Sequence, residues 1–141
     1  MNRSNVNDVH TGISAGVSKR FSVYDNLLAN VTGQAFVATK GPVTKYGIYV
    51  SQVATGSGWS FFNSAYSFGI QLPYERGNRN VMGCAGFGCT LQEEGAILLT
   101  QAQFAQGASN GMEIKLQGSG NSVIIRVPAQ AFQEAYGQRS Q

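Results

Sequence analysis

Met112-Glu113-Ile114-Lys115-Leu116 alternates apolar and charged side chains without a break. Only an extended backbone, whose side chains point to opposite faces at each step, sorts such a run into one wet and one dry face. The segment therefore predicts a half-buried strand. Gly118-Ser119-Gly120-Asn121 interrupts it with turn residues, and Val123-Ile124-Ile125-Arg126-Val127 returns as a partner strand. A sheet with one buried face needs a second layer to cover it. That requirement shapes the reading of everything upstream.

Upstream, short apolar runs recur between turn signals. Ala35-Phe36-Val37-Ala38 is followed by Gly41-Pro42, and Tyr46-Gly47-Ile48-Tyr49-Val50-Ser51 is rich in β-branched and aromatic residues. Thr55-Gly56-Ser57-Gly58 predicts a reversal into Trp59–Tyr66, so these two runs are expected to pair as an antiparallel hairpin. Gly69–Tyr74 reads as a short strand with Pro73 at its end. Gly77–Val81 reads as a lead into the cysteine loop, and Ala96-Ile97-Leu98-Leu99 as the apolar part of another strand. Thr100 is placed as a helix N-cap over Gln101–Gln106. Pro128 is placed at the start of a last helix, with Phe132 and Tyr136 on one face and Gly137 at its end. The expected fold is mainly β: an antiparallel sandwich or partly closed barrel of about eight strands with two short helices. Residues 1–9 are expected to form a flexible N-terminal segment, and residues 10–141 a single domain. No βαβ alternation supports a parallel sheet.

Cys84 and Cys89 lie in Gly83-Cys84-Ala85-Gly86-Phe87-Gly88-Cys89, where glycines permit the sharp reversal that a short bridge needs. A disulfide is the favoured reading, with two unpaired buried thiols as the alternative. Zinc would need further ligands, and the lone histidine, His10, is distant in sequence. An oxidised pair implies a periplasmic or extracellular location. Met1–Lys19 has no apolar core of the kind that a signal peptide carries, so either the protein is cytosolic or a leader has been removed, and the polar start Met1-Asn2-Arg3-Ser4-Asn5 fits the second reading.

The composition excludes several function classes. Charged residues make up 12% of the 141 residues, about half the usual share. The net charge of +3 is spread along the chain with no basic stripe, which argues against a nucleic-acid surface. The glycine-rich cysteine loop lacks the Lys and Ser/Thr of a phosphate-binding loop, and no cofactor motif is present. Glu93 and Glu94 are adjacent, so on a strand they face opposite ways and make a poor acid/base pair. One of them is expected to turn inward toward Arg76 or Arg79 and form a structural ion pair. No catalytic residues are expected.

The densest aromatic group runs from Trp59 through Phe61, Phe62, Tyr66 and Phe68 to Tyr74. Most of these rings belong in a core. Trp59, Phe61, Tyr66 and Tyr74, with Arg76 and Arg79, are the candidate contact surface if one face stays exposed, for a protein partner or for a glycan.

The order of the motifs is itself informative. It runs G-W-x-F-F-x-S-A-Y (Gly58–Tyr66), G-x-x-L-P (Gly69–Pro73), R-x-V (Arg79–Val81) and the Cys84–Cys89 loop. E-x-x-x-x-L (Glu94–Leu99), a short helix, the glycine-turned hairpin of Met112–Val127 and P-A-x-x-F (Pro128–Phe132) follow. Over roughly residues 44–136 the chain resembles a group of uncharacterised proteobacterial envelope proteins, many of them predicted lipoproteins. The resemblance implies export to the periplasm or outer membrane, with membrane attachment only through a lipid anchor removed with the leader; whether such an anchor was present is left open. It supplies no activity and no catalytic residues. The expected function is that of a non-enzymatic accessory or structural domain acting through protein contacts, with a glycan-binding module as the alternative. The oligomeric state is left open.

Overall fold

The computed structural model describes residues 4–8, 13–25, 29–56, 58–86 and 88–138, with side chains at 14–22, 30–56, 58–86 and 88–137. Among the described residues, eleven strands and two helices follow one another. β1 (Ser4–Asp8), β2 (Ile13–Val17), β3 (Phe21–Asp25), β4 (Ala29–Lys40) and β5 (Val43–Thr55) come first. Next are β6 (Phe62–Ser67), β7 (Ile70–Leu72), β8 (Tyr74–Ala85) and β9 (Gly88–Leu99). α1 (Gln101–Asn110), β10 (Met112–Gly118), β11 (Ser122–Val127) and α2 (Ala129–Gln138) close the chain.

The strands form two antiparallel sheets, and the fold is a mainly β sandwich. The larger runs β1-β2-β4-β5-β9-β8, with β3 pairing β4 beyond the end of β2. The smaller runs β11-β10-β6-β7. The alternation of Met112–Leu116 puts Ile114 and Leu116 inside and leaves Lys115 exposed. In β4, β5 and β9 alternate residues likewise face inward: Val31, Ala35 and Val37; Tyr46, Ile48 and Val50; Ile97 and Leu99. Phe62, Ala65 and Leu72 cover them from the small sheet, and Phe104 and Phe132 from the helices. Each fully buried side chain of this size contributes about 1.5–3 kcal/mol.

α1 begins where its sequence says it must. The Thr100 hydroxyl accepts a hydrogen bond from the Gln103 backbone, and the Gln103 side chain accepts one from the Thr100 backbone. This reciprocal cap satisfies two otherwise unpaired donors. α1 runs four residues beyond the expected Gln106, and Phe104 packs edge-on against Phe132 of α2 with centroids 4.9 Å apart. Buried Glu134 ties α2 to the start of the chain by accepting a hydrogen bond from the Lys19 backbone at 2.9 Å.

Three expectations need correction or extension. β5 and β6 are not a hairpin: β5 lies between β4 and β9, and β6 lies between β10 and β7 in the other sheet. Both edges of β5 are therefore occupied, and residues 58–61 belong to a crossover between layers. The stretch Tyr74–Ala85, read as a short strand and a lead-in, is one 12-residue edge strand. The segment before His10 contributes β1, which pairs with β2 from Ser4↔Val17 to Asp8↔Ile13. β1 and β8 account for two of the strands beyond the expected eight, and the separation of β2 from β3 accounts for the third. His10 lies outside the described residues.

Candidate functional site

The register of the large sheet sets Val31, Gln52, Glu93 and Arg79 side by side across β4, β5, β9 and β8. The row is apolar at one end and polar thereafter, although it faces the core. Glu93 is only 6% exposed. Its carboxylate accepts a 2.6 Å hydrogen bond from the Ser60 backbone N–H. The Ser60 hydroxyl donates to Gln52 Oε1 at 2.7 Å. The crossover is thus pinned to the sheet by two buried hydrogen bonds. The charge on Glu93 faces Arg79, whose Nε lies 3.6 Å from Glu93 Oε1. That is the structural ion pair expected of the Glu93–Glu94 doublet. The separation is too long for a hydrogen bond, and among the described residues this buried Nε–H has no hydrogen-bond partner. Glu94, on the opposite face, approaches the Tyr49 hydroxyl.

The Arg79 guanidinium lies over the Phe61 ring, 4.8 Å from its centroid, and Trp59 stands 6.3 Å from Phe61 on the other side of Ser60. Phe61 has φ +54 and its side chain remains 40% exposed. A non-glycine residue in the left-handed region costs about 1–3 kcal/mol. Here the pinned Ser60, the guanidinium and the indole oppose that cost, since a cation over a ring adds about 0.5–1 kcal/mol at a partly exposed site.

Tyr74 lies two inward-facing rows along the sheet, beside Ile97, with its ring across Gly95. A side chain on residue 95 would collide with that ring, so the glycine is needed there. Burial, with the nearby Glu93 charge adding to it and Arg79 opposing it, pushes the Tyr74 phenol up to about 12. Burial and Glu94 likewise push Tyr49 up to about 12.

The six candidate contact residues therefore separate. Trp59, Phe61 and Arg79 form one surface group, and Tyr74 lies beneath it. Arg76 is exposed on β8, opposite Gly95. Tyr66 sits on the outer face of the small sheet, between Lys115 and Gln71. Phe62, from the same aromatic run, is in the core.

At the tip of the β8–β9 hairpin, Cys84 and Cys89 are directly opposite one another and joined by a disulfide. β8 carries two register shifts, at Arg76/Arg79 and Val81/Gly83. Each sets two residues of β8 against one of β9, the arrangement of a bulge. Val81 and Met82 are exposed beside the second one.

A second site had no place in the sequence reading. β6 turns into β7 through Phe68 and Gly69, with φ +46 and +86. Two-residue turns with both central residues at positive φ favour Asn-Gly or Asp-Gly, and a phenylalanine at the first position is strained. Phe68 is nonetheless 84% exposed. It borders a cleft of about 680 Å³ where the open end of the small sheet meets α1. Ile70, Met112 and Val127 supply apolar lining, and Gln103, Gln106 and Asn110 come from α1. Glu113 and Arg126, paired at 3.0 Å, border it as well. Two signals were available in advance: a Phe-Gly turn in place of Asn-Gly, and three side-chain amides at i, i+3 and i+7.

Among the described residues no group of three or more His, Cys, Asp or Glu converges as a metal site would require, and no helix is long and apolar enough to cross a membrane. Comparison with protein-family models, curated proteins and solved structures gives no match.

Proposed function

We propose that this chain is a non-catalytic domain of the bacterial envelope that works in an oxidising compartment as an accessory protein, through contacts made by its β8–β9 arm. The Cys84–Cys89 disulfide across the tip of that arm carries the reading. Small closed loops of this kind persist where thiols are not continuously reduced. The bond also stiffens a hairpin whose outer strand would otherwise fray. The two bulges discourage indiscriminate strand addition to the β8 edge. They favour recognition by side chains, and Val81 and Met82 are the apolar ones on offer.

The test has two parts. Protein trapped with a thiol alkylator before lysis of its own cells should gain no alkyl mass until it is reduced; free alkylation of both cysteines would overturn the compartment assignment. A photoreactive residue replacing Met82 should then give a discrete protein adduct in intact cells, and Val81→Asp should abolish it. An adduct unchanged by Val81→Asp, or no adduct at all, would remove the arm from the proposal.

A further inference from the structure

We propose that the cleft beside Phe68 binds a short, neutral oligosaccharide, with one pyranose ring stacked on the Phe68 side chain. The reading does not depend on the β8–β9 arm.

Phe68 is the starting observation. Its backbone is strained and its ring is 84% exposed. An asparagine would satisfy the turn better, so folding does not explain the phenylalanine. Strain of this kind clusters where a protein holds a side chain ready for a ligand. The cleft that the ring borders, at about 680 Å³, falls within the roughly 300–1,000 Å³ range of small-ligand sites.

The lining narrows the ligand class. Ile70 and Met112 provide apolar surface. Gln103, Gln106 and Asn110 recur at helical spacing along α1, so their amides form a row on one face. Each amide offers both donors and an acceptor; the Gln103 oxygen already serves the Thr100 cap, which leaves its NH2. An acyl chain would bury this row without partners, at a penalty. A phosphate or acidic polymer would find no excess positive charge, because Arg126 is paired with Glu113. An extended peptide could pair with the open edge of β7, whose Ile70 and Leu72 line the cleft, but that pairing gives no role to the exposed Phe68 ring or to the amide row of α1. A neutral pyranose fits all three features: an apolar C–H face for the ring, hydroxyls that donate and accept for the amides, and no net charge.

The experiment is a titration of isotopically labelled protein with maltotriose, cellotriose and chitotriose, followed by NMR of the side-chain NH2 groups. At least one of them should shift the signals of Gln103, Gln106 and Asn110. Phe68→Asn, which retains the turn, should weaken that binding at least about tenfold, and Trp59→Phe should leave it unchanged. Three outcomes would overturn the proposal: no shift of these amides with any of the three sugars, the same affinity in Phe68→Asn, or shifts confined to the Trp59 and Phe61 surface. If an uncharged apolar tetrapeptide moves these amides and the sugars do not, the ligand is a peptide and the carbohydrate reading falls.

Discussion

Phe61 and Phe68 are seven residues apart, and both are phenylalanines held at positive φ beside a Glu–Arg pair. The two sites differ in what surrounds them. At Phe61 the pair is Arg79–Glu93, with side chains 24% and 7% exposed. The carboxylate also holds the Ser60 backbone, and the guanidinium covers the ring. At Phe68 the pair is Arg126–Glu113, with side chains 77% and 37% exposed. Among the described residues no ring or cation contact holds Phe68 in place. The lesson is that positive φ alone does not mark a ligand site. Where neighbouring groups oppose the strain, the residue belongs to the architecture. Where none do, the strain has no compensating ring or cation contact among the described residues.

Each substitution below either breaks this contrast or sharpens it. The largest effect is expected at Glu93. Glu93→Ala leaves the Ser60 N–H unpaired and Arg79 without its counter-charge, and should lower stability by about 3 kcal/mol. Glu113→Ala, in the exposed pair, should change it by less than about 1 kcal/mol. Urea denaturation of both variants checks this; equal losses would erase the contrast.

Replacing both Cys84 and Cys89 with serine should lower stability by about 2 kcal/mol, the chain-entropy value for so short a loop. The staple closes the far end of the hairpin that carries Arg79. Amide exchange should therefore speed up along β8, while the Phe68 turn keeps its protection. Faster exchange at both sites would show that the arm and the cleft are not independent.

Alkaline titration gives a smaller and more local effect. Tyr74 is raised to about 12 in the folded protein from about 10 in an unfolded chain. Its neutral form is the one that the fold prefers. The associated stability is thus fully present below about pH 10 and is lost as the pH rises toward 12. Tyr74→Phe should flatten that decline in part, with Tyr49 supplying a share of what remains. A near-ultraviolet tyrosinate titration of the variant that matches the parent would contradict the assignment to Tyr74.

Much of the sandwich was legible in the sequence, because local patterning and tertiary burial agree there. Met112–Val127 alternates and turns by glycine, and it is a hairpin. Thr100 and Gln103 carry their own cap. Glu93 and Glu94 had to face opposite ways on a strand, and they do. The connection after β5 was misread because Thr55–Gly58 has the same turn chemistry whether the chain folds back or crosses to another sheet. What decides is the Ser60–Glu93 hydrogen bond, a contact across 33 residues. β8 was cut short because Glu75–Asn80 is exposed apart from Arg79 and has no apolar alternation; its register comes from β9. Phe68 was visible as an aromatic, but its strain and its cleft depend on where the turn places it.

The contrast is tested most directly by one matched pair of variants, Phe61→Asn and Phe68→Asn, compared by chemical denaturation at neutral pH. Asparagine tolerates positive φ at both positions. At Phe61 the ring contacts with Arg79 and Trp59 are lost, and stability should fall by about 1 kcal/mol. At Phe68 only strain is removed, and stability should rise by up to about 1 kcal/mol. Opposite signs support the account. A loss of stability in Phe68→Asn equal to that in Phe61→Asn would show that the exposed phenylalanine is held by the fold after all, and would contradict it.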